Sequence, residues 1–283
     1  MTIREKGYHP WEGQMQPSAL PWLSIFLNGI KTAFRKRFAK GVFIICAIPF
    51  FLFLVGIYVS TRPELGMLKE IVRLLDYEVK SFNIFLSNED ITFLLVLLGA
   101  FLGAELISGD IKFNSFPLYF ARPLDRKDYI FGKFSILIFY FLLFSAVPGI
   151  LLYFFKIIFT GKISISLPIL LGLTVVPLLA SFYIASFVLL LSSISQSARN
   201  VKIFIFIIYF LSKGISELLV EIFRSSYFHL LSISDIIKQL GTFIFNIKPE
   251  FNYPGWLSLI VMIALSLGAY LLLYRRIGKL EAQ

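Results

Sequence analysis

Few residues in this chain have the type and spacing to do chemistry. Lys213, Glu217 and Glu221 recur at i, i+4 and i+8 inside an apolar run, so a helix places them on one face. Charge inside a membrane span is costly and usually functional. Two readings stand. Lys213 and Glu217 form part of a pathway or gate, or the two glutamates meet water at the span's end while Lys213 snorkels or pairs with Glu217. Glu105 closes another apolar run. Arg126 and Lys133 are its candidate partners, and such a pair would anchor the intervening loop to the bundle.

Other chemistries lack their residues. His9 and His229 lie far apart, and no apolar run holds a histidine or a pair of aspartates. Intramembrane hydrolysis needs a nucleophile and base, or metal ligands, within the spans. The single cysteine, Cys46, allows neither an internal disulfide nor a thiolate metal cage. A P-loop needs Gly-x-x-x-x-Gly-Lys followed by Ser or Thr. Here Gly132-Lys133 precedes Phe134, and Gly161-Lys162 precedes Ile163, neither with the required upstream glycine. The chain is therefore expected to be no enzyme and to hold no cofactor or metal.

The elements that position these residues are apolar helices. The chain has 283 residues, 58% hydrophobic and 16% charged, with 32 Phe. A soluble domain would carry roughly 25% charged residues. The apolar residues gather into runs of about 20, the length that crosses a bilayer as a helix. The expected fold is all-α, a polytopic bundle with spans at 41–60, 91–107, 134–155, 167–194, 202–223 and 256–274. Pro148 and Pro177 should each kink a span. No cleaved signal peptide is expected.

Charge gives the orientation. Of the 27 Lys/Arg, seventeen lie in 1–40, 108–133, 195–202 and 275–283, nine in 61–90, 156–166 and 224–255, and Lys213 within a span. Subtracting six and eight acidic residues leaves +11 and +1. By the positive-inside rule, both termini face the cytoplasm of a cell membrane. The basic charge follows topology and anionic lipid, not nucleic acid.

Three segments outside the spans show a helical period. In 21–40, Leu23, Phe26, Ile30, Phe34 and Phe38 form an apolar face beside Lys31, Arg35 and Lys36, the pattern of an interfacial helix. The 68–86 stretch is an outer helix on the leaflet, a cap on a pathway or a linker. Within 224–255, the apolar stretch 227–245 suits a short re-entrant or interfacial hairpin. The domain plan is thus a leader and interfacial helix at 1–40, a transmembrane domain at 41–274 and a tail at 275–283.

The loop 108–133 reads SGDIKFNSFPLYFARPLDRKDYIFGK. Phe113, Phe116, Leu118, Tyr119 and Phe120 form an exposed aromatic stretch, in which Pro117 limits regular helix. Arg122-Pro123 makes a turn, and Asp125 caps the helix rising to the third span. Either a soluble partner docks on this surface, ringed by Arg122, Arg126 and Lys127, or the aromatics anchor the loop in the interface.

Glu105, Gly109, Pro117, Arg122, Pro123, Arg126, Tyr129, Gly132 and Lys133 together resemble the signature of type-2 ABC exporter permeases. The interfacial helix, six spans and long segment before the sixth agree with that family, and Tyr8-His9-Pro10-Trp11 with Gly13 is similar to the leader of some members. The resemblance implies that 108–133 carries a coupling helix seated on a separate P-loop ATPase, which binds ATP and Mg. It implies two permeases, identical or paralogous, with two ATPases. Phe113, Phe116, Pro117, Tyr119, Arg122 and Arg126 would then dock the ATPase, while Glu105, Gly109, Gly132 and Lys133 anchor the loop. The competing expectation is a secondary transporter driven by an ion gradient, which predicts two matching halves with broken helices. No matching motif occurs in the second half.

Overall fold

The computed structural model describes residues 20–62, 78–120, 124–161 and 166–281. Among these there is no strand, and six stretches of helix are long and apolar enough to cross a membrane. The elements are α1 Pro21–Arg35, α2 Arg37–Ser60, α3 Glu78–Ser87, α4 Glu89–Lys112 and α5 Phe116–Phe120. They continue with α6 Arg126–Phe144, α7 Ala146–Thr160, α8 Leu167–Ser192, α9 Ala198–Phe223, a 3-10 helix Ser226–Leu231, α10 Ile233–Ile244 and α11 Gly255–Glu281.

Helix α8 is the hub. It packs against α4, α6, α11, α3, α7, α10 and α9. Its small residues Gly172, Ala180, Ser181, Ala185 and Ser186 are buried, which lets neighbouring backbones approach. Helices α2, α9 and α11 lie outside and expose apolar faces, such as Ile203, Phe204, Ile207, Phe210 and Leu211 on α9. In lipid such faces carry no penalty. Pro177 sits inside α8, which continues past it.

The expected third span is two helices. α6 ends at Phe144, Ser145 leaves helical geometry, and α7 begins at Ala146. Pro148 explains the position of the break, because its ring crowds the carbonyl of Phe144 and it has no N–H to donate. The Ser145 hydroxyl donates to the Phe141 carbonyl at 2.6 Å, satisfying part of the frayed end. The second span also runs further than expected, through Lys112, so 108–112 is helix and not loop. The expected tail at 275 onward continues α11 as helix to Glu281, and Arg276 donates to the Ser193 carbonyl at 3.4 Å.

The helix expected over 21–40 stops at Arg35, with Lys36 as an extended hinge into α2. Its buried residues are Ile25 and Ala33, with Gly29 between them close against Ile136 of α6. A Cβ on Gly132 of α6 would meet the Ile25 side chain at 3.0 Å and the Trp22 carbonyl at 3.1 Å. This close approach, with the Tyr140 hydroxyl donating to the Ile30 carbonyl at 3.0 Å, seats α1 on the bundle.

The 68–86 expectation falls partly on 63–77, outside the described residues. Its described end, α3, buries Phe82, Phe85 and Leu86 against α7, α8 and α10, so it packs within the bundle. The 224–255 segment turns back into the protein. α10 buries Asp235, Ile236, Ile237, Gln239 and Leu240 and contacts α3, α8 and α11. Burial in protein is the condition under which a short helix and its loops sit at depth.

Gly132→Leu is expected to lower the unfolding free energy in detergent by about 1–3 kcal/mol through overpacking against α1. A Cβ on Gly109 would meet nothing within 4 Å. Gly109→Leu should therefore leave stability nearly unchanged, and equal losses at both sites would contradict this account of α1 docking.

Candidate functional site

The basic end of the bundle carries a short helical knob. α4 ends in a turn in which Asn114 takes a left-handed backbone (φ 49°), a conformation Asn tolerates. The Phe113 N–H bonds the Gly109 carbonyl at 3.0 Å and the Ser115 N–H the Asp110 carbonyl at 2.9 Å. α5 follows at once. Pro117 is its second residue, where a missing N–H costs nothing, so the aromatic stretch forms a single helical turn in spite of the proline.

The knob has two faces. Phe113 is 75% exposed and Leu118 76%, with Pro117 exposed beside them. Phe116 points the other way and is 3% exposed, which corrects its expected place on the surface. It packs against Tyr129 at 5.6 Å between ring centroids and stacks on Phe120 at 6.2 Å. Tyr119 is half-buried, edge-on to Tyr129 at 5.3 Å. Burial, with the nearby Asp110 charge adding to it, pushes the Tyr119 hydroxyl up to about 12, so it stays neutral. Arg122 and Pro123 lie outside the described residues, as does the 1–19 leader. Arg126 turns back, its guanidinium lying against Gly278 of α11. Lys127 is exposed.

Beneath the knob lies one buried polar network. The Tyr129 hydroxyl donates to Asp110 Oδ2 at 2.6 Å, and Lys133 Nζ reaches the same oxygen at 2.7 Å. Lys133 Nζ also donates to the Leu106 carbonyl at 2.7 Å, and it sits over the rings of Tyr119 and Tyr129 at 5.6 and 5.3 Å. Asp110 thus joins α4 to the first two turns of α6. Asp125 stands at the N-cap of α6, with its N–H donating to Asp128 at 3.4 Å. The local charge is matched, and both side chains are largely withdrawn from solvent, at 8% exposure for Lys133 and 15% for Asp110, which strengthens such a pair.

Glu105 corrects another expectation. Its partners are Lys36, at the hinge between α1 and α2, and Lys202 of α9 at 3.8 Å, and neither Arg126 nor Lys133. One helical turn separates Glu105 from Asp110, but they point to different neighbours. Nearby, the Ser192 hydroxyl donates to the Ala104 carbonyl at 2.8 Å and accepts from the N–H groups of Ile107 and Ser108 at 3.1 Å. The end of α4 is therefore tied to α1, α6, α8 and α9.

The Lys213 and Glu217 pair sits at the other end, in a larger network. Lys213 Nζ lies 3.4 Å from Glu217 and 3.5 Å from Glu89, but its closest partner is Asp235 at 2.7 Å. Asp235 is fully buried and takes His229 Nδ1 at 2.7 Å on its second oxygen. His229 stacks on Phe251 at 3.9 Å. Gln239 clamps the following loop, donating to the carbonyls of Phe251 at 3.2 Å and Tyr253 at 2.7 Å and accepting from the Phe251 N–H at 3.2 Å. Burial pushes the Tyr253 hydroxyl up to about 12. Asp110, Asp235 and His229 were not singled out by sequence. Only Asp235 had a signal, because Ser232-x-x-Asp235 is a helix-start pattern.

These features sit on a chain whose type a comparison decides. The sequence model of the ABC-2 family of transporter proteins matches residues 26–279. The chain belongs to the ABC-2 transporter family. No curated protein matches it closely enough to count as a relative. This permease is accordingly a multi-pass membrane transport component, and the knob, α1 from Phe26 onward and both charged networks fall within the matched span.

Truncating either Asp110 or Lys133 leaves a buried charge alone. Each single alanine variant is expected to lose about 3–5 kcal/mol of stability. The paired variant Asp110→Leu/Lys133→Met removes both charges and should lose much less than the two singles together, measured by unfolding in micelles. Additive losses would contradict a coupled pair.

Proposed function

We propose that this permease is the membrane half of an ATP-driven exporter, and that a separate P-loop ATPase docks on the α5 knob. The knob carries the proposal. Its inner face, Phe116, is locked onto Tyr129, while Phe113, Pro117 and Leu118 stand bare at the most basic end. A bare apolar patch beyond the membrane marks an interaction surface. Membership of the ABC-2 family supports an ABC ATPase as the occupant. ATP and Mg then belong to that partner.

The basic end faces the cytoplasm in this proposal, with both termini on that side. The working unit holds a second permease, identical or paralogous, and two ATPases. Closure of the ATPases on ATP displaces the knobs. Each displacement passes through Phe116 to Tyr129 and through Asp110 to α4 and α6. From α4 it reaches the Lys36 hinge and α9 through Glu105. Substrate moves outward as these helices shift.

Phe113→Asp and Leu118→Asp change exposed side chains only and should leave folding intact. Each is expected to weaken capture of the co-expressed ATPase by at least about tenfold, since a central interface anchor is worth roughly 2 kcal/mol or more. Unchanged capture and unchanged ATP turnover in both variants would sink the docking surface.

A further inference from the structure

Behind the knob the permease holds a large open cavity of about 1110 Å³, between α1, the end of α4, α6 and the start of α9. Small-molecule sites run to roughly 300–1,000 Å³, so an inorganic anion would leave most of this space unfilled. One wall is the inner edge of α1, where Ser24, Asn28 and Thr32 recur every turn. Another is apolar, with Leu102, Leu106 and Ile136.

The charges lining it are unbalanced. Glu105 and Asp110 are its described carboxylates, and each is already paired, Glu105 with Lys36 and Asp110 with Lys133. Lys112 and Arg199 also line it, both exposed, and neither makes an ion pair with a described residue. The start of α9 faces the same space, and its N-cap, Ser197, makes no side-chain capping bond. Its first N–H groups add positive potential to the cavity that Lys112, which sits over the Phe113 ring at 5.4 Å, and Arg199 also line. The cavity therefore offers an anion charge-assisted donors from Arg199 and Lys112 and a polar rim for neutral hydroxyls, beside a strip that suits the start of an acyl chain.

We propose that this cavity binds the phosphate-bearing headgroup of an anionic amphiphile, held by Arg199 and Lys112 at the level of the interfacial helix α1. The proposal depends on the exporter reading only for which leaflet supplies the ligand. Binding needs no ATPase, so loss of knob docking would leave it standing.

The test is calorimetric titration of the full chain in micelles with dihexanoyl phosphatidylglycerol, dihexanoyl phosphatidylcholine and inorganic phosphate. Saturable binding of the phosphatidylglycerol is expected, with little from the zwitterionic lipid or from phosphate. Lys112→Gln/Arg199→Gln should weaken it by at least about tenfold, the loss of two charge-assisted contacts. Asn28→Trp, which fills the cavity from the α1 side, should abolish it with an unchanged melting midpoint. Equal binding of both lipids, or full affinity in both variants, would overturn the site. Phosphate binding as tightly as the phosphatidylglycerol would overturn the amphiphile and leave a soluble anion.

Discussion

A carboxylate largely withdrawn from solvent at the end of a helix must be satisfied on the spot, and the way Asp110 is satisfied organises this end of the molecule. Its Oδ2 takes both Tyr129 and Lys133, so the last turn of α4 cannot move without α6. The aromatic rings that cover Lys133 belong to Tyr119 and Tyr129, and Phe116 packs on the latter. The knob is thus no flexible loop. Its inward side is continuous with the Asp110–Lys133 polar network, and its outward side is exposed.

The same rule governs the opposite end. There Asp235 is the buried carboxylate, and Lys213 and His229 satisfy it from α9 and the 3-10 helix. α10 can turn back into the bundle because its polar atoms find protein partners. Between the two ends, α8 supplies packing by small buried residues and little polar glue. Charge pins both ends, while close packing by small residues holds the middle.

Much of the fold was legible because lipid demands long apolar helices. Five of the six expected spans fall within one of the six long apolar helical stretches, and the fourth, 167–194, overruns its stretch by two residues, since the helix ends at Ser192. The interruptions were less legible. Pro148 announced a kink, but whether a proline bends or breaks a helix depends on what can satisfy the freed carbonyls, and Ser145 does part of that. The hinge at Lys36 has no proline or glycine to mark it. The helical period of α1 showed an apolar face, but not that Gly132 would let Ile25 dock so closely on α6.

The candidate site was legible in its segment and less so in its contacts. The sequence exposed Phe116 and Phe113 alike, because composition cannot tell the two faces of a one-turn helix apart. The sequence offers Glu105 Arg126 or Lys133 as a partner, and the bundle gives it Lys36 from the α1–α2 hinge and Lys202 from α9. Asp110 lacked a local partner altogether, since Tyr129 and Lys133 lie on the next long helix.

In the proposed coupling, knob motion enters the bundle through Asp110. The most direct measurement is ATP turnover by the assembled permease–ATPase complex carrying Asp110→Leu/Lys133→Met, which removes both charges of the pair, with assembly checked by co-purification. The account predicts a complex that forms as in the wild type but whose turnover no longer responds to the permease. Wild-type turnover in that assembled complex would contradict it.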